Sequence, residues 1–139
     1  MVADRIDLQE CYATEMIAHA RQEAPNECCG ILAGSDRKVL KLYPAVNSAA
    51  SPVRYSIDPK DLLRIYREIE DKRWELLGIY HSHVRGEAYP SATDIELAFW
   101  PDAVYFIISL HHPQASIRAF RIIDGKTGEV EVVQIGEQT

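Results

Sequence analysis

The sequence predicts a single α/β domain, a mixed central β-sheet flanked by helices, on three observations. Stretches of helical period alternate with short apolar runs of strand length. Hydrophobic residues make up 47% of the 139 residues and charged residues 26%, an ordinary globular balance with enough chain for a substantial core. No repeat, low-complexity stretch or internal linker interrupts the chain, so one domain is expected over 1–139.

The elements follow in order. Gln9 to Ala24 reads as a helix with Met16, Ile17 and Ala20 on one side and Pro25 ending it. Cys29 to Ala33 reads as a buried strand, and Gly34-Ser35-Asp36 as a turn into a second strand, Lys38 to Val46, completing a hairpin. Asn47 to Pro52 is expected as loop and Arg54 to Ile57 as a short extended piece. Asp58-Pro59 opens a second helix whose buried stripe would be Leu62, Leu63, Ile65, Tyr66 and Ile69. Trp74 to Ser82 reads as a strand covered on both faces, because Leu76-Leu77-Gly78-Ile79-Tyr80 is apolar without alternation. After a loop over Val84 to Tyr89, Pro90-Ser91 starts a short helix to about Trp100, stopped by Pro101. Ala103 to Leu110, Ser116 to Ile123 and Val130 to Ile135 read as strands, the last two joined by a turn around Asp124-Gly125 and Thr127-Gly128.

Composition narrows the function. The net charge of −6, with basic residues scattered among acids, argues against a nucleic-acid partner, which needs clustered Lys and Arg. No apolar run approaches the roughly 18 residues of a membrane span. The start Met1-Val2-Ala3-Asp4-Arg5 carries no apolar signal segment, so a cytoplasmic location and no membrane partner are expected. Three cysteines without a C-x-x-C pair suit neither a disulfide framework nor a cysteine zinc site. Cys28 and Cys29 read as small buried thiols.

The chemistry gathers in few residues. His81 and His83 lie two apart at the end of a strand, so both imidazoles project from one face and could grip one metal ion. Ser91-Ala92-Thr93-Asp94 follows after seven residues. It fits a capping box, and a carboxylate bound to metal would not be free to close that box, so the two roles of Asp94 compete. The strand-loop-helix order, which returns the helix start over the strand's carboxyl end, favours the metal. Glu27, ahead of a buried strand with Gly30 allowing close packing behind it, is placed as a base that is not a ligand. Two imidazoles, two carboxylates and a hydroxyl make the inventory of a hydrolytic zinc site. His19 on its helix and His111-His112 beside Pro113 read as structural or surface residues.

The order Glu, His-x-His, seven residues, Ser-x-x-Asp resembles the JAMM motif of the JAMM/MPN-domain metallopeptidases. Pro25-Asn26-Glu27-Cys28-Cys29-Gly30-Ile31-Leu32-Ala33-Gly34 and the stretch Asn47…Pro52…Tyr55-Ser56-Ile57-Asp58-Pro59 are similar to segments of the same family. The resemblance implies the family's cytidine-deaminase-like architecture and one zinc ion held by His81, His83 and Asp94. It makes Glu27 the base and proton shuttle and gives Ser91 an oxyanion-stabilising role. Val84 stands where the family often has Pro, which removes no ligand but alters the stiffness of the strand exit. The chain is similar in length to compact prokaryotic members. They imply as substrate a ubiquitin-like sulfur-carrier protein whose Gly-Gly tail is joined through an amide to cysteine or another amine. Such a tail could lie as a strand beside a sheet edge, with only Gly narrow enough to pass the metal. A monomer or homodimer is expected. Two other readings stay open: a non-catalytic MPN-type protein-binding module, and a general small-peptide metallopeptidase. A zinc deaminase would need Pro-Cys-x-x-Cys, which does not occur.

Overall fold

A computed structural model describes residues 4–136; the expected domain's ends, 1–3 and 137–139, lie outside the described residues. The element order is β1 (Arg5–Gln9), α1 (Glu10–Glu23), β2 (Cys29–Ser35), β3 (Lys38–Ala45), α2 (Pro59–Asp71), β4 (Glu75–His83), α3 (Ala92–Glu96), β5 (Val104–Ser109), β6 (Ser116–Ile123) and β7 (Lys126–Ile135). The strands form one mixed sheet in the order β1-β3-β2-β4-β5-β6-β7, which closes on itself because β1 also pairs with β7. Pairing is parallel for β1/β3, β1/β7 and β4/β5, and antiparallel for the others.

Alternation along β2 and β4 shows how the sheet is covered. Leu32 and Tyr80 face Met16, Ala20, Ile6 and Leu8 in one core, under α1. Cys29, Ile31 and Ala33 face Ile65 and Ile69 of α2 in another. Ile79, on the same β4 face as His81 and His83, packs with Tyr105, Ile107 and Phe120. At Gly30 a side chain would run into the Tyr80 ring across the β2/β4 ladder, so the close approach expected there is present. α2 starts as the sequence implies, with Pro59 in its first turn and the Asp58 carboxylate accepting the Asp61 N–H at 3.3 Å.

Several expectations are corrected. The helix expected from Gln9 begins at Glu10, and Arg5–Gln9, where no element is expected, is a strand running parallel to β7. Of the expected α2 stripe, Ile65 and Ile69 are buried and Leu62 is partly buried, but Leu63 and Tyr66 are 52% and 40% exposed. They flank the contact line, which follows positions 62, 65 and 69. α3 ends at Glu96 rather than near Trp100, leaving Phe99 73% exposed. The β2–β3 turn is centred on Asp36 and Arg37, both at positive φ. The β6–β7 turn uses Asp124-Gly125 alone, since Thr127 and Gly128 already pair with β6.

Candidate active site

β4 is central to the site. Its antiparallel register with β2 sets His81 opposite Cys29, and its parallel register with β5 sets His83 opposite Ser109. Both imidazoles therefore leave the same face at the carboxyl end of the strand. Two residues ahead of β2, the chain brings Glu27 to the same end, and it is fixed there by its backbone. The Glu27 N–H donates to the Ser51 carbonyl at 2.9 Å, and its carbonyl accepts from Asn47 Nδ2 at 3.0 Å. The next amide, of Cys28, donates to Ser82 Oγ at 2.8 Å, tying Glu27's segment to the strand of the histidines.

Three donor atoms converge. Asp94 Oδ2 lies 3.0 Å from His81 Nε2 and 3.0 Å from His83 Nε2, and the two nitrogens are 3.2 Å apart. His81 and Asp94 are buried, and the His83 side chain is 10% exposed. Zinc bonds of about 2.0–2.1 Å in a tetrahedral arrangement separate neighbouring ligand atoms by roughly 3.3 Å, so this triangle has the right size for one ion. The imidazole orientation agrees. His83 Nδ1 is 2.8 Å from the Glu87 carbonyl, which can only accept, so Nδ1 carries the hydrogen and Nε2 is turned toward the cluster. Two imidazoles and a carboxylate suit zinc among divalent ions. The cluster is a buried His-His-Asp group of the kind that holds a single zinc ion.

Asp94 does not have to choose between its two roles, contrary to the competition expected from its sequence position. Its Oδ2 accepts the Ser91 N–H at 2.9 Å, and Ser91 Oγ accepts the Asp94 N–H at 3.0 Å, so the capping box is complete while the same oxygen faces both imidazoles. The cap aims the carboxylate. Without an ion its pKa is set by opposing causes: burial raises it, but His81 and His83, whose Nε2 atoms can then carry a hydrogen toward it, prevail and hold it far below the usual carboxylate range. Burial lowers His81. Burial also pulls on His83, yet the Asp94 and Glu87 hydrogen bonds leave it raised.

Glu27 behaves differently. It is 3% exposed, and its Oε1 is buried without a hydrogen-bond partner among the described residues. Burial pushes its pKa up to about 8, with His83 opposing and Asp94 adding to the rise. Glu27, His83 and Ser91 line one cleft of about 440 Å³ with Pro52, Val53 and Arg85. The remaining histidines are elsewhere: His19 Nδ1 is 2.8 Å from the Tyr80 hydroxyl behind the sheet, while His111 and His112 are exposed.

Three contributors to the site had no role assigned from sequence, although Asn47 and Tyr55 lie in the stretch that resembles a family segment. Tyr55 stacks on His81 with ring centroids 4.4 Å apart and planes 19° from parallel. Asn47 organises the 47–57 loop, its Oδ1 accepting the Ala49 and Ser56 N–H groups while Nδ2 reaches Glu27 and Arg54. A turn-forming Asn in a loop was the available cue. Ser82, hidden between two histidines, offered none.

Comparison with known proteins gives a consistent setting. Residues 10–123 match the family described as prokaryotic homologs of the JAB domain. The chain is 43% identical over 127 residues to the CysO-cysteine peptidase of Mycobacterium tuberculosis, covering 88% of this chain and 86% of that protein. It is 40% identical over 116 residues to the desampylase of Haloferax volcanii, covering 78% and 84% respectively. A Desulfitobacterium hafniense protein solved in solution superposes with a TM-score of 0.86 at 39% identity, covering 95% of this chain and 94% of that one. No helix among the described residues is long and apolar enough to cross a membrane.

Proposed function

The chain belongs to the prokaryotic JAB-domain family, the JAMM-type zinc metallopeptidases, and on that footing we propose that it cuts the amide after the Gly-Gly tail of a ubiquitin-like sulfur-carrier protein, the whole chain 1–139 acting as one JAMM/MPN metallopeptidase domain. The observation that carries the catalytic part is Glu27 Oε1, a buried and unpartnered carboxylate oxygen in the cleft it shares with His83 and Ser91.

His81, His83 and Asp94 hold the zinc ion, which when bound supplies Lewis-acid polarisation and eases the ionisation of water. Glu27 is the base and proton shuttle. Burial makes its carboxylate a stronger base than a solvated one, so it takes a proton from the attacking water and releases it to the departing amine. The water oxygen ends on the tail's terminal glycine as a carboxylate, and the C–N bond breaks. Ser91 stabilises the oxyanion. Its Oγ already accepts the Asp94 N–H, which leaves the hydroxyl hydrogen available to donate to developing negative charge.

The substrate class rests on the relatives, whose names describe a peptidase for CysO-cysteine and a desampylase. The exposed Val53 and Arg85 that border the cleft suit an extended tail entering from a protein surface. All three cysteines are free thiols, which suits the reducing cytoplasm.

The test compares wild type with Glu27→Gln for zinc content and for cleavage of a carrier ending in Gly-Gly-Cys. Equal zinc with a loss of about 10²–10⁴-fold in kcat is expected for removal of a general base. Zinc without cleavage in wild type would sink the substrate class, and equal cleavage by both would sink the role of Glu27.

A further inference from the structure

A second group of metal-ligand side chains stands outside this site. Glu87, His111 and His112 bring one ligand atom each to within 4.8 Å of one another, and all three are exposed. Glu87 Oε1 lies 3.1 Å from His112 Nε2 and 3.7 Å from His111 Nε2.

The backbone under this group is built, not incidental. Ser109, 1% exposed at the end of β5, donates from Oγ to the Gly86 carbonyl at 2.7 Å and accepts the His111 N–H at 3.2 Å. One buried hydroxyl thus ties the loop carrying Glu87 to the loop carrying both histidines. The Leu110 N–H adds a 3.0 Å bond to the His83 carbonyl. Glu87 is anchored once more, since its carbonyl lies 2.8 Å from His83 Nδ1. The three ligands come from two loops whose separation is set before any ion arrives, so little ordering remains to oppose binding.

We propose that Glu87, His111 and His112 form a second, solvent-facing site for a divalent transition-metal ion of the zinc class, and that its occupancy stiffens the Val84–Tyr89 loop beside the active site. Two imidazoles and a single carboxylate favour zinc, nickel or copper over magnesium or calcium, which require oxygen-rich shells. Three protein ligands leave further positions to water, and exposure makes the site weaker than the buried one. The carbonyl that orients His83 belongs to a residue of the outer site, so the two sites share one short stretch of backbone.

The test titrates metal-free protein with Zn²⁺ against a chromogenic chelator. Wild type should take two equivalents, the second more weakly. His111→Ala/His112→Ala should take one and keep the cleavage activity that one equivalent supports. Asp94→Asn should retain the outer ion. A separate readout is trypsin cleavage after Arg85, an exposed residue in the loop. The second equivalent should slow it several-fold in wild type and leave it unchanged in the double variant. Saturation of wild type at one equivalent, or a second equivalent still bound by the double variant, overturns the site. A second equivalent that leaves Arg85 equally cleavable overturns the stiffening.

Discussion

Ser91 and Asp94 hold each other reciprocally, amide to side chain in both directions at 2.9 and 3.0 Å, and the Asp94 oxygen used for this is the one that faces both imidazoles. The atom that caps the helix is thus the one presented to the metal-ligand cluster. Folding of the first turn of α3 sets the carboxylate where the ion needs it, and a bound ion in turn stabilises that turn.

Ser91→Ala separates the two contributions of the serine. Loss of the cap should cost about 1 kcal/mol, seen as a fall in Tm of about 3–5 °C. The oxyanion role predicts a further effect, a drop in kcat of about 10²–10³-fold with zinc content unchanged. Steady-state kinetics beside metal analysis checks it. A thermal shift with unchanged kcat would leave Ser91 a cap alone.

Glu27 predicts a pH dependence of the metal-free protein. Its folded pKa of about 8 lies above its ordinary 4.5, so the folded state holds a proton that the unfolded chain has already released. The stability it contributes is complete below about pH 4.5 and is lost as pH rises toward 8. Denaturant unfolding across this window should show wild type weakening relative to Glu27→Gln, by several kcal/mol as an order of magnitude. Parallel curves for the two proteins would contradict the raised pKa.

The cysteines divide by burial. Cys28 and Cys29 are essentially inaccessible, and burial pushes both thiols up to about 12. Cys11 is half-buried. Under native conditions a thiol reagent such as iodoacetamide should label Cys11 and spare the other two until the protein unfolds. Rapid native labelling of Cys28 or Cys29 would contradict that burial.

Gly30→Ala tests the tight contact behind the base. The new methyl meets the Tyr80 ring, which is fully buried and whose hydroxyl lies 2.8 Å from His19 Nδ1, so the ring has little room to retreat. Overpacking of this kind costs about 1–3 kcal/mol. Calorimetry on the variant measures it, and unchanged stability would show that the ladder can part at this point.

Much of this was legible in the sequence because it is local. The apolar run of β4 ending in two histidines, the Ser-x-x-Asp cap and the Asp58-Pro59 start are all short-range patterns. β1 escaped because its evidence is not local: Ile6 and Leu8 alternate over only five residues, and their parallel partner is β7, at the other end of the chain. Pro101 suggested a longer α3 as its stop, but the helix ends at Glu96 and leaves Leu97 and Phe99 exposed, while Ala98 and Trp100 pack on the core from outside it. The supposed conflict at Asp94 came from treating a cap and a metal ligand as alternatives. A carboxylate oxygen can accept a backbone N–H and still face two imidazoles, and which neighbours it faces is decided by the fold.

The sheet's closure also governs how the protein behaves among its own copies. Strand edges left unpaired invite further strands and so promote aggregation. Here β7 is covered by β1 over Arg5–Gln9, while among the described residues β1 pairs with β3 only at Asp7 and Lys38. Along the rest of that seam the Tyr12 hydroxyl occupies the Leu40 carbonyl, and Pro44 has no N–H to offer an incoming strand. Trimming the chain through Gln9 would bare β7 and widen the seam at β3 together. Such a shortened protein would trade solubility for stickiness, even with every residue of the catalytic cleft still in place.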